Sequence, residues 1–487
     1  MNLADLVASH ARNRPLDPAV IQGALSLSYA ELDRRVSGFA ARLHDLGVAA
    51  GTTVGLCLSD SVDHLVMHFA VARLGAVILP MDHRWTQVEK VEVAHAFGGR
   101  FVLLEPGAGE LPGMKCLFPE PGWAEFPISA LPVPPGNAEQ PLLISLSSGT
   151  TGRPKGAVVT HGQMYERFVN QWVTLSLNVS DRFISVTPLY FGAARSFCMS
   201  VLAAGAAVIL APPPHRPGEL AAAINSSGAS VCFVVPTLMR RLLADATPGE
   251  PPLFPGLRLL IFGGSIVAGD EAARIRDRLT PNLASYYATS EGGGISVLQP
   301  REFLQHGDTV GRATFRVEVE VVDPTGQPAP HNEVGQLRFR GPGVATVFLD
   351  EHGREQRDPA GGWFYPGDLA SLDPAGFITL RGREKDKIIR GGINVYPAEI
   401  ERVLCAHPAV REVAVIGAPS PVHGEEIVAF VVAGAPVAAE DLLSWCRLRL
   451  APYKLPREIL FLAELPKTNF GKVRKSELAA RLPGRDS

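Results

Sequence analysis

At 487 residues the chain is too long for one ordinary hydrophobic core, so two or more domains are expected. Hydrophobic residues make up 46 % and charged residues 20 %, the balance of a soluble globular protein, and a net charge of −3 excludes the basic bias of a nucleic-acid or anionic-membrane binder. Six scattered Cys without a C-x-x-C pair exclude a zinc ribbon or disulfide frame and point to thiols in a reducing, cytoplasmic compartment.

The opening Met1-Asn-Leu-Ala-Asp-Leu6 lacks the basic-then-apolar profile of a signal peptide. An apolar run at 53–58 predicts a strand. The most apolar stretch, 64–80, is interrupted by His68 and Arg73 and stops at Pro80, so it is too short and too polar to cross a bilayer. It predicts a buried helix over 62–74 and a strand over 75–79. The Pro-rich segments 105–141 and 211–218 read as surface loops.

The run 141–146 predicts a strand that enters Ser147-Ser148-Gly149-Thr150-Thr151-Gly152-Arg153-Pro154-Lys155-Gly156. Gly permits a tight bend and close approach to a ligand. Backbone N–H groups and hydroxyls in such a bend suit polyphosphate oxygens, and Lys155 adds a mobile point charge. The segment is not the common P-loop, because Pro154 stands where the second Gly of that pattern belongs.

Runs at 208–210, 231–235 and 259–262 lack polar alternation and predict strands buried on both faces, as in a parallel sheet covered by helices. Phe262-Gly263-Gly264-Ser265 ends one of them in a turn. At Tyr286-Tyr287-Ala288-Thr289-Ser290-Glu291, an aromatic ring able to stack on adenine adjoins a hydroxyl and a carboxylate. The hydroxyl can bond an α-phosphate, and the carboxylate can hold Mg²⁺ against phosphate oxygens. From 310 to 380, short strands such as 317–322 and 335–340 alternate with Gly, Pro and Asp turns, the look of a small antiparallel barrel or sheet. Charged Arg383-Glu-Lys-Asp-Lys387 then marks a boundary at 383–386. A helix starting near Pro397 and a strand around 413–416 open a small α/β unit.

The segment 147–156 closely resembles the signature of the acyl-adenylate-forming superfamily, which includes acyl-CoA synthetases, stand-alone adenylation domains and luciferases. Further motifs follow in family order. Tyr287 and Glu291 match, with Ala288 in place of Gly and Ser290 in place of Thr. Trp363-Phe-Tyr-Pro-Gly-Asp368 matches with Pro366 in place of Thr. Gly382-Arg383, Gly391-Gly392-Ile-Asn-Val-Tyr-Pro397 and Pro466-Lys-Thr-Asn-Phe-Gly-Lys472 complete the set. The resemblance runs from about residue 10 to 480.

It implies an α/β fold: a large N-terminal domain, 1–384, of parallel-rich sheets covered by helices with a small β-barrel near 310–380, and a mobile α+β domain, 385–487. It implies a nucleotide site of Ser147, Ser148, Gly149, Thr150, Thr151, Gly152 and Lys155 on the phosphates. Gly264, Ser265 and Tyr287 would lie at adenine, and Asp368 and Arg383 at the ribose. Catalysis would fall to Lys472, Glu291 and Ser290, with Glu291 as the Mg²⁺ ligand. Lys385 would be the hinge, and Gly391 and Gly392 would line a channel for the CoA arm.

The acyl pocket is expected around Tyr190, Phe191 and Gly192, with Gly292 and Gly293 leaving room at its wall for a flat aromatic or medium-chain group. No Asp stands where amino-acid-activating relatives hold an ammonium. Arg195 is the one charge nearby, and a salt bridge on a helix is expected for it. The implied reaction is ATP-dependent ligation of a small carboxylic acid to CoA through an acyl-adenylate. An acyl carrier protein is the alternative acceptor and a homodimer the default assembly.

Overall fold

The computed structural model describes residues 1–128, 136–148, 154–216, 218–246, 249–264, 267, 269–357, 362–391, 393–420, 422–467 and 473–482, with the backbone alone at Ser148, Gly269 and Asp270. Two large sheets dominate. In the first, the order is Arg312–Ala313, Gly293–Leu298, Leu283–Thr289, Leu259–Phe262, Val231–Val234, Arg182–Ser185, Ala207–Leu210, Pro18–Gln22 and Leu25–Ser28. Its interior pairs are parallel, and antiparallel strands close both ends. Val231–Val234 and Leu259–Phe262 are buried throughout, as runs without polar alternation require.

The second sheet runs Glu355–Arg357, Val347–Leu349, Pro154–Thr160, Pro141–Ser148, Val77–Pro80, Thr53–Cys57, Gly99–Leu104 and Lys115–Leu117. One core cluster joins residues of both sheets with helices Tyr29–Asp45, Val62–Arg73, His161–Leu175 and Gly192–Ala203. The helix expected over 62–74 is Val62–Arg73, started by the Ser61 hydroxyl accepting from the His64 N–H. It lies in that shared core and is buried from Val62 to Ala72 except Asp63, hence its nearly unbroken apolar sequence. Segment 105–141 is not all loop: Lys115–Leu117 pairs at the sheet edge and Pro121–Glu125 forms a 3₁₀ turn.

The β-rich stretch is a four-stranded antiparallel sheet, Glu318–Val322, Gly335–Arg340, Asp368–Leu372 and Ile378–Arg383, with a small core of its own. Of the barrel or sheet expected here, the stretch forms the sheet: its end strands do not pair with each other among the described residues. After the 3₁₀ turn Glu384–Asp386 comes a separate sheet of Ile393–Val395, Ile388–Arg390, Gly424–Ala433, Val410–Ser420 and Glu458–Phe461. Helices Pro397–Cys405 and Ala439–Arg447 contribute to the apolar cluster on one face.

Candidate active site

Three hairpin-like elements bring the motifs together. In the first, Pro141–Ser148 and Pro154–Thr160 are antiparallel, with Ser147 opposite Lys155. The strands that lead into and out of the phosphate-type loop are therefore neighbours in one sheet. Gly149, Thr150, Thr151 and Gly152 lie outside the described residues. Gly156 has a packing reason to be glycine: a Cβ there would meet Ile144 at 2.7 Å and the Phe97 ring at 3.0 Å.

The second hairpin pairs Leu283–Thr289 with Gly293–Leu298, and its turn carries Ser290 and Glu291. The Ser290 hydroxyl donates to the Leu146 carbonyl at 3.3 Å, tying this turn to the strand that feeds the first loop. The Ala345 N–H donates to the Glu291 carbonyl at 2.9 Å. Beneath the turn, Arg167 of helix His161–Leu175 donates to the carbonyls of Gly343 (2.8 Å), Ser290 (3.2 Å) and Glu291 (2.5 Å). Burial lowers its pKa to about 10, against the opposing pull of Glu291. No sequence motif marks Arg167; only the fold shows that it braces the turn.

The Glu291 carboxylate, half-buried, has no hydrogen-bond or ion-pair partner among the described residues. Among those residues there is also no cluster of three metal-ligating side chains. One unpaired carboxylate beside a phosphate loop fits Mg²⁺, which is commonly held by one or two carboxylates together with substrate phosphates.

Asp368 and Arg383 face each other at the ends of paired strands, and the Arg383 Nε reaches the Asp368 carboxylate at 2.7 Å. The Tyr287 hydroxyl donates to the other carboxylate oxygen. Burial and then the Asp368 charge push the Tyr287 phenol well above its ordinary value. The sequence places these three residues up to 96 positions apart; the structure makes them one cluster. Gly264 is exposed at φ +92° with open space beside it, whereas a Cβ at Gly263 would strike the Tyr286 carbonyl at 2.6 Å. Ser265 lies outside the described residues.

Lys385 sits in the turn Glu384–Asp386, immediately after Arg383. Gly391 has φ +57° and donates its N–H to the His423 carbonyl at 2.8 Å. Gly392 and Lys472 lie outside the described residues. The segment carrying Lys472 is pinched at its base by a bridge between Lys467 and Val473, and Lys467 pairs with Glu412 at 2.7 Å. A small cleft opens where helix Pro397–Cys405 meets the N-terminal body, with Phe262, Asp308, Arg381 and Arg402 among its lining residues.

Around the expected acyl pocket the structure revises three readings. The Tyr190 hydroxyl is held by Arg84, which also packs over its ring at 5.3 Å and forks onto the buried Asp82 at 2.8 and 3.0 Å. Tyr190 thus faces the ends of the second sheet. Arg195 has no salt bridge among the described residues: fully buried, it donates to the carbonyls of Leu189 (3.3 Å) and Tyr190 (3.0 Å), and burial lowers its pKa to about 9. It fixes the turn that precedes Phe191 and Gly192. The room left by Gly292 and Gly293 is already filled, since Cβ atoms there would meet the Phe339 ring at 2.4 Å and Arg167 at 2.9 Å. These glycines admit protein side chains, so the wide acyl wall expected from them is not formed by missing side chains. Gly192 itself is exposed at the start of helix Gly192–Ala203, beside half-buried Phe191.

The sequence model for AMP-binding enzymes matches residues 7–349, and that for the AMP-binding enzyme C-terminal domain matches residues 399–472. The chain is 34 % identical over 479 residues to a feruloyl-CoA synthase of Amycolatopsis sp, covering 97 % of each chain. It is 30 % identical over 499 residues to an indoleacetate–CoA ligase of Aromatoleum aromaticum, covering 98 % of each. Its fold is similar to that of the o-succinylbenzoate CoA synthetase from Bacillus subtilis in complex with its acyl-adenylate intermediate, with a TM-score of 0.88 at 25 % identity and 97 % of each chain covered. The chain belongs to the AMP-binding enzyme family, within the acyl-adenylate-forming superfamily.

Proposed function

We propose that this protein is an ATP-dependent, AMP-forming carboxylate–CoA ligase whose substrate is an aromatic or medium-chain acid. The observation that carries this reading is the bond from Ser290 to the Leu146 carbonyl, which supports a hydroxyl and a carboxylate without a partner among the described residues at the strand that feeds the loop 147–156. In the first step the acid's carboxylate attacks the α-phosphate of ATP and pyrophosphate leaves. Ser147, Ser148, Gly149, Thr150, Thr151, Gly152 and Lys155 hold the polyphosphate. Tyr287, Gly264 and Ser265 hold the adenine, and Asp368 with Arg383 holds the ribose. Glu291 would hold Mg²⁺, which neutralises phosphate charge when bound. Lys472 steadies the negative charge that develops at the α-phosphate.

The C-terminal domain, 385–487, then turns about Lys385 and brings the Gly391–Gly392 loop to line the thiol channel. The CoA thiol attacks the acyl carbonyl and AMP leaves. Aromatic acids suit Phe191 and Gly192 at the open end of their helix, and the named substrates of the similar enzymes are aromatic. Six unpaired cysteines suit a reducing cytoplasm, and a homodimer is the default assembly.

Exchange of labelled pyrophosphate into ATP across aryl, fatty and dicarboxylic acids tests the first step. Failure with every acid overturns the reading. Product mass after incubation with CoA alone separates a CoA ligase, which yields the thioester, from an enzyme that loads a carrier protein.

A further inference from the structure

The strands Ile388–Arg390 and Ile393–Val395 form a short hairpin that carries the two-glycine loop. Its base is anchored: Ile388 and Val395 lie opposite each other and both enter the apolar cluster of the C-terminal unit. The end beside the glycines has no such anchor. Ile389 is 48 % and Ile393 46 % exposed, so this end projects from the domain. Among the described residues the hairpin shares one register pair with strand Gly424–Ala433, Arg390 opposite Gly424. A two-stranded hairpin this short is at best marginally stable in water, so side chains must hold its outer end.

Arg390 supplies that hold. Its Nε meets the Glu426 carboxylate at 2.9 Å, and its Nη1 donates to the carbonyls of Tyr453 (3.0 Å) and Leu455 (3.4 Å). Glu426 is 6 % exposed. The backbone on either side of Arg390 is tied to the same strand: the Ile389 N–H donates to the Glu425 carboxylate at 2.5 Å, and the Gly391 N–H to the His423 carbonyl at 2.8 Å. The 3₁₀ turn Pro452–Lys454 is itself tied to the helix that follows the hairpin, through Lys454 and Glu399 at 2.7 Å. A buried ion pair is a poor way to gain stability, because desolvation offsets the attraction. What a planar guanidinium adds is direction, since its donors point at fixed angles to several partners. The segment carrying Lys472 has a different brace, Lys467 on Glu412 at 2.7 Å. The two segments assigned to the two half-reactions are thus held by separate ion pairs.

We propose that Arg390, held by Glu426, is a positioning residue for the second half-reaction alone: it fixes the hairpin that presents Gly391 to the thiol channel and does not serve adenylation. This rests on the acid–CoA ligase reading above and deepens it. The test uses the whole protein as wild type, Arg390→Met, Glu426→Leu and Arg390→Lys, with the aryl acid that supports the fastest exchange in the wild type and the synthetic adenylate of that acid. Pyrophosphate exchange reads the first step. Single-turnover thioester formation from the adenylate at saturating CoA reads the second. Arg390→Met and Glu426→Leu are expected to slow the second step by about tenfold or more, since a misplacement of about 1 Å can cost about 100-fold, while exchange stays within about twofold of wild type. Arg390→Lys should recover part of the loss by keeping the charge on Glu426. Equal loss of both steps would show a general structural role and overturn the proposal; an unfolded C-terminal unit reads the same way, because adenylation needs Lys472 of that unit. Unchanged thioester formation would overturn it too, as would an effect confined to the KM for CoA, the mark of a direct binding contact. Absence of exchange in the wild type with every acid would overturn the ligase reading itself, an outcome distinct from exchange that persists while the two steps fail to separate.

Discussion

Arg167 is buried and holds three part-buried carbonyls around the Ser290–Glu291 turn. Arg167→Met keeps much of the volume but strands the acceptors, so about 3 kcal/mol of stability should be lost. Thermal unfolding checks this, and pyrophosphate exchange should fall with it because the turn loses its brace. Asp368 has a different weight. It is charged, nearly buried, and bonded to both Tyr287 and Arg383. Asp368→Ala should raise the KM for ATP by about 10- to 100-fold, the value of charge-assisted hydrogen bonds worth 1.5–3 kcal/mol. An unchanged KM would remove Asp368 from the nucleotide site. Asp368 and Tyr287 are legible in the sequence because each sits in a motif. Arg167 is not, because nothing in Tyr165-Glu166-Arg167 distinguishes a buried brace from a solvated cation.

At the scale of elements, helix His161–Leu175 is where the N-terminus docks. His161 opens the helix, is fully buried, and accepts the Leu3 N–H at its Nδ1 at 3.1 Å. Burial, then the nearby N-terminal ammonium, lowers its pKa to about 4. That lies below the unfolded value, so between about pH 4 and 6.5 the unfolded chain binds the extra proton. The contribution is fully present above pH 6.5 and is lost as pH falls toward 4, about 3 kcal/mol in all. Urea midpoints from pH 7 to pH 4.5 should fall more steeply for the wild type than for His161→Gln, which lacks the titrating group. Elements themselves were largely legible. The strand expected at 259–262 is Leu259–Phe262, and that at 335–340 is Gly335–Arg340. Buried strands announce themselves through unbroken apolar runs. The edge strand Lys115–Leu117 does not, being three residues long in a Pro-rich segment.

For the whole molecule, the C-terminal unit meets the N-terminal body along helix Pro397–Cys405, where Cys405 lies near Arg240 and Glu271. Arg402 and Asp308 pair across the junction at 3.6 Å, both substantially exposed, and such pairs contribute about 0–1 kcal/mol. The proposed turn about Lys385 would have to break that exposed pair between the two half-reactions. Lys472→Ala should therefore abolish adenylation and spare thioester formation from preformed acyl-adenylate. Equal loss of both would sink the two-face reading. The sequence by itself determined the reaction class, because phosphate loops, the Tyr287–Glu291 segment and the two-glycine loop are local patterns whose backbone and side-chain chemistry needs no distant partner. Only the tertiary structure decided what the pocket residues face. Whether Gly292 opens a cavity or admits the Phe339 ring, and whether Arg195 meets a carboxylate or two carbonyls, depends on side chains brought together from other elements, and no local pattern encodes that meeting.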